Sequence, residues 1–453
     1  MNTIFFDLET SDLNFAGQIL NYAFFEVDDQ WNVISETKGN VKISKLQLPV
    51  PEAILANKID VIEHQNSCSI NETEATLQIY NLINRSISSQ DFTKLIGYNS
   101  NSFDVPYLRT SMIRNGLNPY FGGNLHYGDL LHVVKKLSLT DESFRARLRK
   151  KDDGRAILTL ESVCKSFGIL KDDEVQKHES EFDVLLTIKL AKFIFDNYGI
   201  DVRTYDSYEV EKRPTSFDCV KFVSDIDSKN FSSEDYSYYT LLEQNRTQSL
   251  WINLKLFDDG LDKKSITWFN KNTSQLLVDE YLVDDEFRSR SQKARDSLSH
   301  INLKNFWPDV NCDIEQHIYL LPIGEIQSLH NAIWSNDKFL LKRNKNKYAN
   351  ILYLRFLCNA INSDETDKII HKYAMYRYGG KMKINKSDID STYEEGVYNK
   401  SFHRTYKELL TAIDDNCVDE ESTYLMNRLK SFYEKSVIFQ LSGTELMNLP
   451  ERV

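Results

Sequence analysis

"FFDLETSDL", residues 5–13, decides how this chain is read. Two phenylalanines close an apolar run, and two acids, Asp7 and Glu9, follow at i and i+2. Successive side chains on a strand point to opposite faces, so both carboxylates share one face. Acids are depleted in strands, and an exposed strand face explains poorly a pair that directly continues Phe5 and Phe6. The stretch therefore reads as a core strand with chemistry built onto its end.

Working outward, residues 3–7, 19–27 and 33–43 read as three successive strands joined by short polar turns. From Asn71, "NETEATLQIYNLINRSI" has apolar residues at helical spacing and acids in its first turn. "KLIGYN" (94–99) reads as a short buried strand, and the helical spacing from Phe103 ends at Gly116. A short strand is expected around 127–131, then helices over 158–169 and 181–199, stopped at Gly168 and Gly199. This order predicts an α/β domain over residues 1–204. Residues 203–216 are polar with a proline and read as a linker; segments from Asp218 to about Asp285 are short and β-rich, which suggests a small barrel or sheet. Beyond Lys345 the spacing is long and helical, so the expected boundaries are 1–204, 205–345 and 346–453.

A chain of 453 residues has room for two to four domains. With 41% hydrophobic and 12% aromatic residues it is globular rather than disordered, although 27% of residues are charged. No run approaches the roughly 18 apolar residues of a membrane helix, and Asp7 and Glu9 interrupt any signal-peptide core. A soluble, cytoplasmic protein with no membrane partner is expected. Six cysteines without a C-x-x-C pair signal neither a zinc site nor a disulfide framework. The net charge of −12 argues against a surface that clings everywhere to phosphate, but leaves room for a local basic groove or for acids offset by bound cations.

Three further residues join the pair at long range: Asp104 in "GYNSNSFDVPYLR", and Asp183 with His178 in "HESEFD". Each has a plain explanation alone. Asp104 and Asp183 suit helix first turns, where the macrodipole favours acids, and a histidine in a polar loop is ordinarily solvated. Together they suggest more. Carboxylate oxygens select hard cations such as Mg²⁺ or Mn²⁺, and acids converging from a strand and two helix starts can hold two ions about 4 Å apart. Such a site suits phosphodiester hydrolysis, with an imidazole of pKa near 6.5 as general base.

"DLET", "GYNSNSFD" and "HESEFD" resemble the three motifs of the DEDDh 3′–5′ exonucleases, the DnaQ-like group with an RNase H-like fold. Within that group the order of "LPVPEAIL", "NETEA", "IGYNSNSFD", "DLLHVV", "DDG" (152–154) and "LTLESVCKSFGI" is similar to the bacterial exonuclease I family. The resemblance implies an SH3-like β-containing domain and an α-helical C-terminal extension after the exonuclease domain, with "TSQLLVDEYLVDDEFRSRS" (273–291) in the β domain. It also implies Mg²⁺ as cofactor, two ions held by Asp7, Glu9, Asp104 and Asp183 with Mn²⁺ able to substitute, and His178 as the base. Single-stranded DNA is the implied substrate, cut to nucleoside 5′-monophosphates; an RNA substrate of the same chemistry and a non-hydrolytic binding protein stay open. Thr10, Asn99 and Phe103 are expected contacts to the terminal nucleotide, and Thr159 stands at the substrate-side position where that family has an arginine. Ser180 replaces that family's usual alanine, and the 170–177 loop is acidic. A monomer in DNA repair is expected, with a single-strand-binding or repair protein as possible partner. Basic clusters at 145–151 and 342–347 suit either a channel wall or solvated loops.

Overall fold

The computed structural model describes residues 2–13, 17–44, 48–90, 92–115, 117, 119, 121–173, 179–204, 219–223, 230–231, 236–244, 248–257, 265–270, 277–278, 285–298, 408–413 and 419–436. His178, the 342–347 cluster and most of the 203–216 linker lie outside these residues.

Strand β1 (Asn2–Thr10) lies at the centre of a five-stranded sheet. On one side it pairs antiparallel with β2 (Ile19–Val27), which pairs with β3 (Val33–Asn40). On the other it runs parallel to β4 (Thr93–Gly97), which is parallel to β5 (Leu125–Asp129). The expected three-strand meander is therefore present. Strands on both sides pair the edges of β1, and helices on either side of the sheet bury its two faces in separate cores. Ile4, Phe6 and Leu8 pack among Ile79, Ile83, Leu108 and Met112 of α3 (Glu72–Gln90) and α4 (Asp104–Arg114). Phe5 packs on the opposite face with Ala23, Phe25, Val184 and Leu186. That second face belongs to α8 (Ser180–Tyr198), which packs across β1 and β2.

Several helices escape the sequence reading: α1 (Pro51–Asn57), α2 (Val61–Ser67), α5 (Leu130–Thr140) and α6 (Glu142–Arg147). The first, second and fourth have at most seven residues, too short for a periodic signal. Helix α7 (Leu160–Ser166) begins where expected and is capped by the Thr159 hydroxyl, which accepts from Ser162 N–H at 3.3 Å.

Farther along, β7 (Cys219–Val223), β9 (Tyr236–Gln244), β10 (Gln248–Asn253), β11 (Ile266–Asn270) and β12 (Leu277–Val278) form a second sheet in the order β11-β10-β9-β7-β12. Between them, β8 (Asn230–Phe231) pairs with β6 (Ala156–Ile157), tying the hairpin after α6 to this second region. Residues 285–291, which the resemblance assigns to the β-containing domain, begin a helix, α9 (Asp285–Leu298), that packs on the second sheet. Its Phe287 ring stacks on Tyr238 of β9 at 3.9 Å.

The last described helix, α10 (Glu420–Lys435), returns to the first region. Leu425, Met426, Leu429 and Tyr433 pack with Leu20, Ile43, Ile54 and Val61. Asp60, which caps α2 by accepting from Ile62 and Glu63 N–H, also accepts from Arg428 Nε at 2.8 Å and from the Tyr424 hydroxyl at 2.9 Å. Among the described residues no helix is long and apolar enough to cross a membrane.

Candidate metal centre

The row of side chains on β1 that begins with buried Phe5 continues through Asp7 and Glu9, so the acids project from the face covered by α8. The first turn of α8 delivers Asp183 to the same place, where one carboxylate oxygen from each of Asp7, Glu9 and Asp183 lies within 4.8 Å of the others. Opposite Asp7 on β2 stands Ala23, a side chain small enough to let the helix approach.

Asp104 reaches the strand another way. The β1–β4 ladder ends at Phe5 and Ile96, which leaves the next stretch of that edge without a strand partner. There Asp104 Oδ1 accepts the Leu8 N–H at 3.1 Å, between the two strand acids in sequence. Its charge is felt at Glu9. Burial first, and then the negative charges of Asp183 and Asp104, push the Glu9 carboxyl well above its ordinary pKa. Three oxygen donors gathered this closely, with ionisation of one penalised by its neighbours, fit a hard divalent cation. Asp104 is outside the mutually close set of three and stands beside it.

The turn before Asp104 explains its motif. A Cβ at Gly97 would lie 2.5 Å from Ser100 Cβ and 3.0 Å from the Phe6 carbonyl, so only glycine fits where β4 passes the turn. Asn99 has φ 63°, a left-handed conformation that asparagine tolerates. Its N–H donates to Asp129 Oδ1 at 2.8 Å, and Asn101 N–H donates to Asp129 Oδ2 at 3.0 Å. Asp129 also caps α5 through Leu131 N–H at 3.0 Å. Sequence reasoning passed over this buried aspartate; its local signal was a single acid closing a short strand before the apolar start of a helix, "HYGDLLHVV", without the second acid that drew notice to Asp7.

His132 lies buried beneath Asp129, its Nε2 3.3 Å from Oδ2. Burial, helped by Lys135 and only partly opposed by Asp129, pushes its pKa down to about 4. An imidazole depressed below its ordinary 6.5 contributes stability that is complete above pH 6.5 and is lost as the pH falls toward 4. At roughly 1.4 kcal/mol per pH unit, the cost of going from pH 6.5 to 5 is about 2 kcal/mol. Melting curves of the wild type and His132→Gln across this range should show a flatter dependence in the variant; parallel curves would refute the assignment.

Among the expected substrate contacts, Thr10 is buried and its hydroxyl donates to the Asp12 carbonyl at 3.0 Å. Phe103 is half-buried, its ring 5.4 Å from that of Tyr107. Thr159 is engaged as the α7 cap. In the 145–151 cluster, Arg147 sits over the Phe167 ring at 4.6 Å and Arg149 pairs with Asp172, whereas Lys150 and Lys151 are exposed.

No family model matches the sequence. Exodeoxyribonuclease I of Escherichia coli (strain K12) is 29% identical over 199 residues, 42% of this chain. The matched stretch spans 39% of that relative's length. Exonuclease I from Methylocaldum szegediense superposes with a TM-score of 0.66 at 14% identity, covering 96% of this chain and 99% of that one. A zinc-bound E. coli exonuclease I in complex with single-stranded DNA superposes with a TM-score of 0.62 at 17% identity, with the same coverage. The chain is similar to exonuclease I in sequence and shares its fold: an RNase H-like α/β unit followed by a β-containing region and helices.

Proposed function

We propose that this chain is a divalent-metal-dependent 3′–5′ exonuclease that hydrolyses single-stranded DNA to nucleoside 5′-monophosphates in the cytoplasm. The observation that carries this reading is the convergence of Asp7, Glu9 and Asp183 within 4.8 Å, with Asp104 fixed on the strand between the first two. The likeness to exodeoxyribonuclease I supports it.

When bound, two Mg²⁺ ions, or Mn²⁺ in their place, supply Lewis acidity and charge compensation around the scissile phosphate. Asp7, Glu9 and Asp183, with Asp104 beside them, would hold them. The rigid strand sets the spacing of Asp7 and Glu9; helix packing sets that of Asp183. His178 takes the proton of the attacking water, a task suited to an imidazole titrating near neutrality. The Asp104 bond to Leu8 N–H fixes that carboxylate against the strand beside the other three acids. Asn99 and Phe103 flank the turn leading to Asp104 and would meet the terminal nucleotide, Phe103 by stacking; Thr10 and Thr159 would line the same approach. We place the unit boundaries near 204 and 345, with α10 packed back on the first unit, and take the protein to act as a monomer in DNA repair.

The test is digestion of 5′-labelled single-stranded DNA, duplex DNA and single-stranded RNA of one sequence, with Mg²⁺ or EDTA, by the wild type and Asp7→Ala. A Mg²⁺-dependent ladder shortening from the 3′ end on single-stranded DNA, absent in the variant, is expected. Preferential RNA cleavage would move the substrate assignment, and tight binding without cleavage would overturn the catalytic one.

A further inference from the structure

Asn21 lies on β2 directly opposite Glu9 and is bonded at both ends of its amide. Its Nδ2 donates to the Gly39 carbonyl at 3.3 Å and to Asn40 Oδ1 at 2.6 Å, both on β3. Its Oδ1 accepts the Ser180 N–H at 3.1 Å and the Ser180 hydroxyl. Ser180 is the first residue of α8, and the residue that should cap this helix, Glu179, makes no side-chain cap bond. The first N–H groups of a helix have no partner within it. Asn21 therefore supplies from the sheet the acceptor that the local sequence lacks. Lys38 of β3 adds an ion pair to Glu181 at 2.6 Å.

Asp183 stands three residues beyond Ser180, in the same turn. Its distance from Glu9 depends on how that turn seats on β2, and ligand sets tolerate displacements of only about 0.5 Å. We propose that Asn21 is a positioning residue of the metal centre: by capping α8 across the sheet it fixes Asp183 relative to Glu9 and anchors the chain just after His178. The Ser180 hydroxyl gives this tether a second bond that an alanine would lack. The inference rests on the metal-dependent reading above.

Two substitutions break the tether from opposite ends. Asn21→Ala removes the acceptor. Ser180→Pro removes both donors at a position where proline suits a helix start, and Glu179, at φ −110° and ψ 126°, already has the extended conformation required before proline. Wild type, both single variants and the double variant would be compared in single-stranded DNA digestion, in Mn²⁺ titration by calorimetry, and in thermal melting. Each single variant is expected to lose about 10- to 100-fold in kcat, with KM for DNA within about twofold, and to bind Mn²⁺ about tenfold more weakly. The double variant should be no worse than Asn21→Ala alone, because both substitutions remove the Asn21–Ser180 tether and Asn21→Ala already removes the Nδ2 bonds to Gly39 and Asn40 as well. Losses that multiply in the double variant, or Mn²⁺ affinity and kcat unchanged while the melting temperature falls, would overturn the proposal. If the wild type digests no DNA, the functional reading fails, and the Mn²⁺ titrations still decide whether Asn21 positions the acids.

Discussion

Glu9→Gln is expected to stop single-stranded DNA digestion and, at the same time, to make the metal-free protein more stable. The two effects have one cause. In the metal-free fold the Glu9 carboxylate is buried against Asp183 and Asp104, which raises its pKa well above 4.5. A carboxyl raised in the folded state binds more protons than in the unfolded chain, so stability is greatest below pH 4.5 and declines as the pH rises through the raised value. At neutral pH the wild type carries that cost. Two charges about 5 Å apart at an effective dielectric constant near 20 repel by about 3 kcal/mol, and glutamine removes the repulsion without changing the side chain's shape. A gain of roughly 1–2 kcal/mol in EDTA, or several degrees in melting temperature, is expected. Added Mg²⁺ should reverse the order, raising the melting temperature of the wild type far more than that of the variant. Activity should fall at least about 10³-fold, the equivalent of losing about 4 kcal/mol of charge stabilisation at the transition state. A variant that is less stable in EDTA, or one that keeps activity near wild type, would remove Glu9 from the site.

The second large effect is expected at His178. Its replacement by alanine should lower kcat by about 10²- to 10⁴-fold, the usual worth of a positioned general base, while leaving Mg²⁺-dependent stabilisation in place because imidazole is not among the oxygen donors. The pH profile separates this from a structural loss. In the wild type, log kcat should climb with pH and level off above the ordinary histidine value of about 6.5; in the variant that limb should vanish, and the residual rate should rise only with hydroxide concentration. If the variant keeps the wild-type limb, another group takes the proton.

The fold was legible wherever the sequence carried a long periodic signal. Strands β1, β2 and β3, helix α3 and helix α8 were placed within a few residues by hydrophobic spacing and glycine stops. Helices α1, α2 and α6 were not, because six or seven residues span fewer than two turns of 3.6 residues; α2 and α6 have local caps in Asp60 and Asp141, and α1 and α2 pack on residues distant in sequence. The helix at 285–298 was not read, because the β-rich pattern ends near Asp285 and the resemblance assigned only 273–291 to the β domain as a whole.

The same division holds at the site. The amino-acid sequence by itself singled out Asp7, Glu9, Asp104 and Asp183 as a candidate set and determined that Asp7 and Glu9 share a face, since alternation along a strand is fixed by backbone geometry. Only the tertiary structure decided that Asp183 joins them within 4.8 Å while Asp104 bonds the strand edge beyond the end of its ladder. The reason is physical: local geometry sets the direction of a side chain, but distances between segments are set by packing and by hydrogen bonds across the sheet. Asp129 and Asn21 show this most plainly. Asp129 is marked locally only as an acid at the end of a strand and Asn21 not at all, and each matters through the backbone N–H groups it receives from another part of the chain, Asn99 and Asn101 in one case and Ser180 in the other.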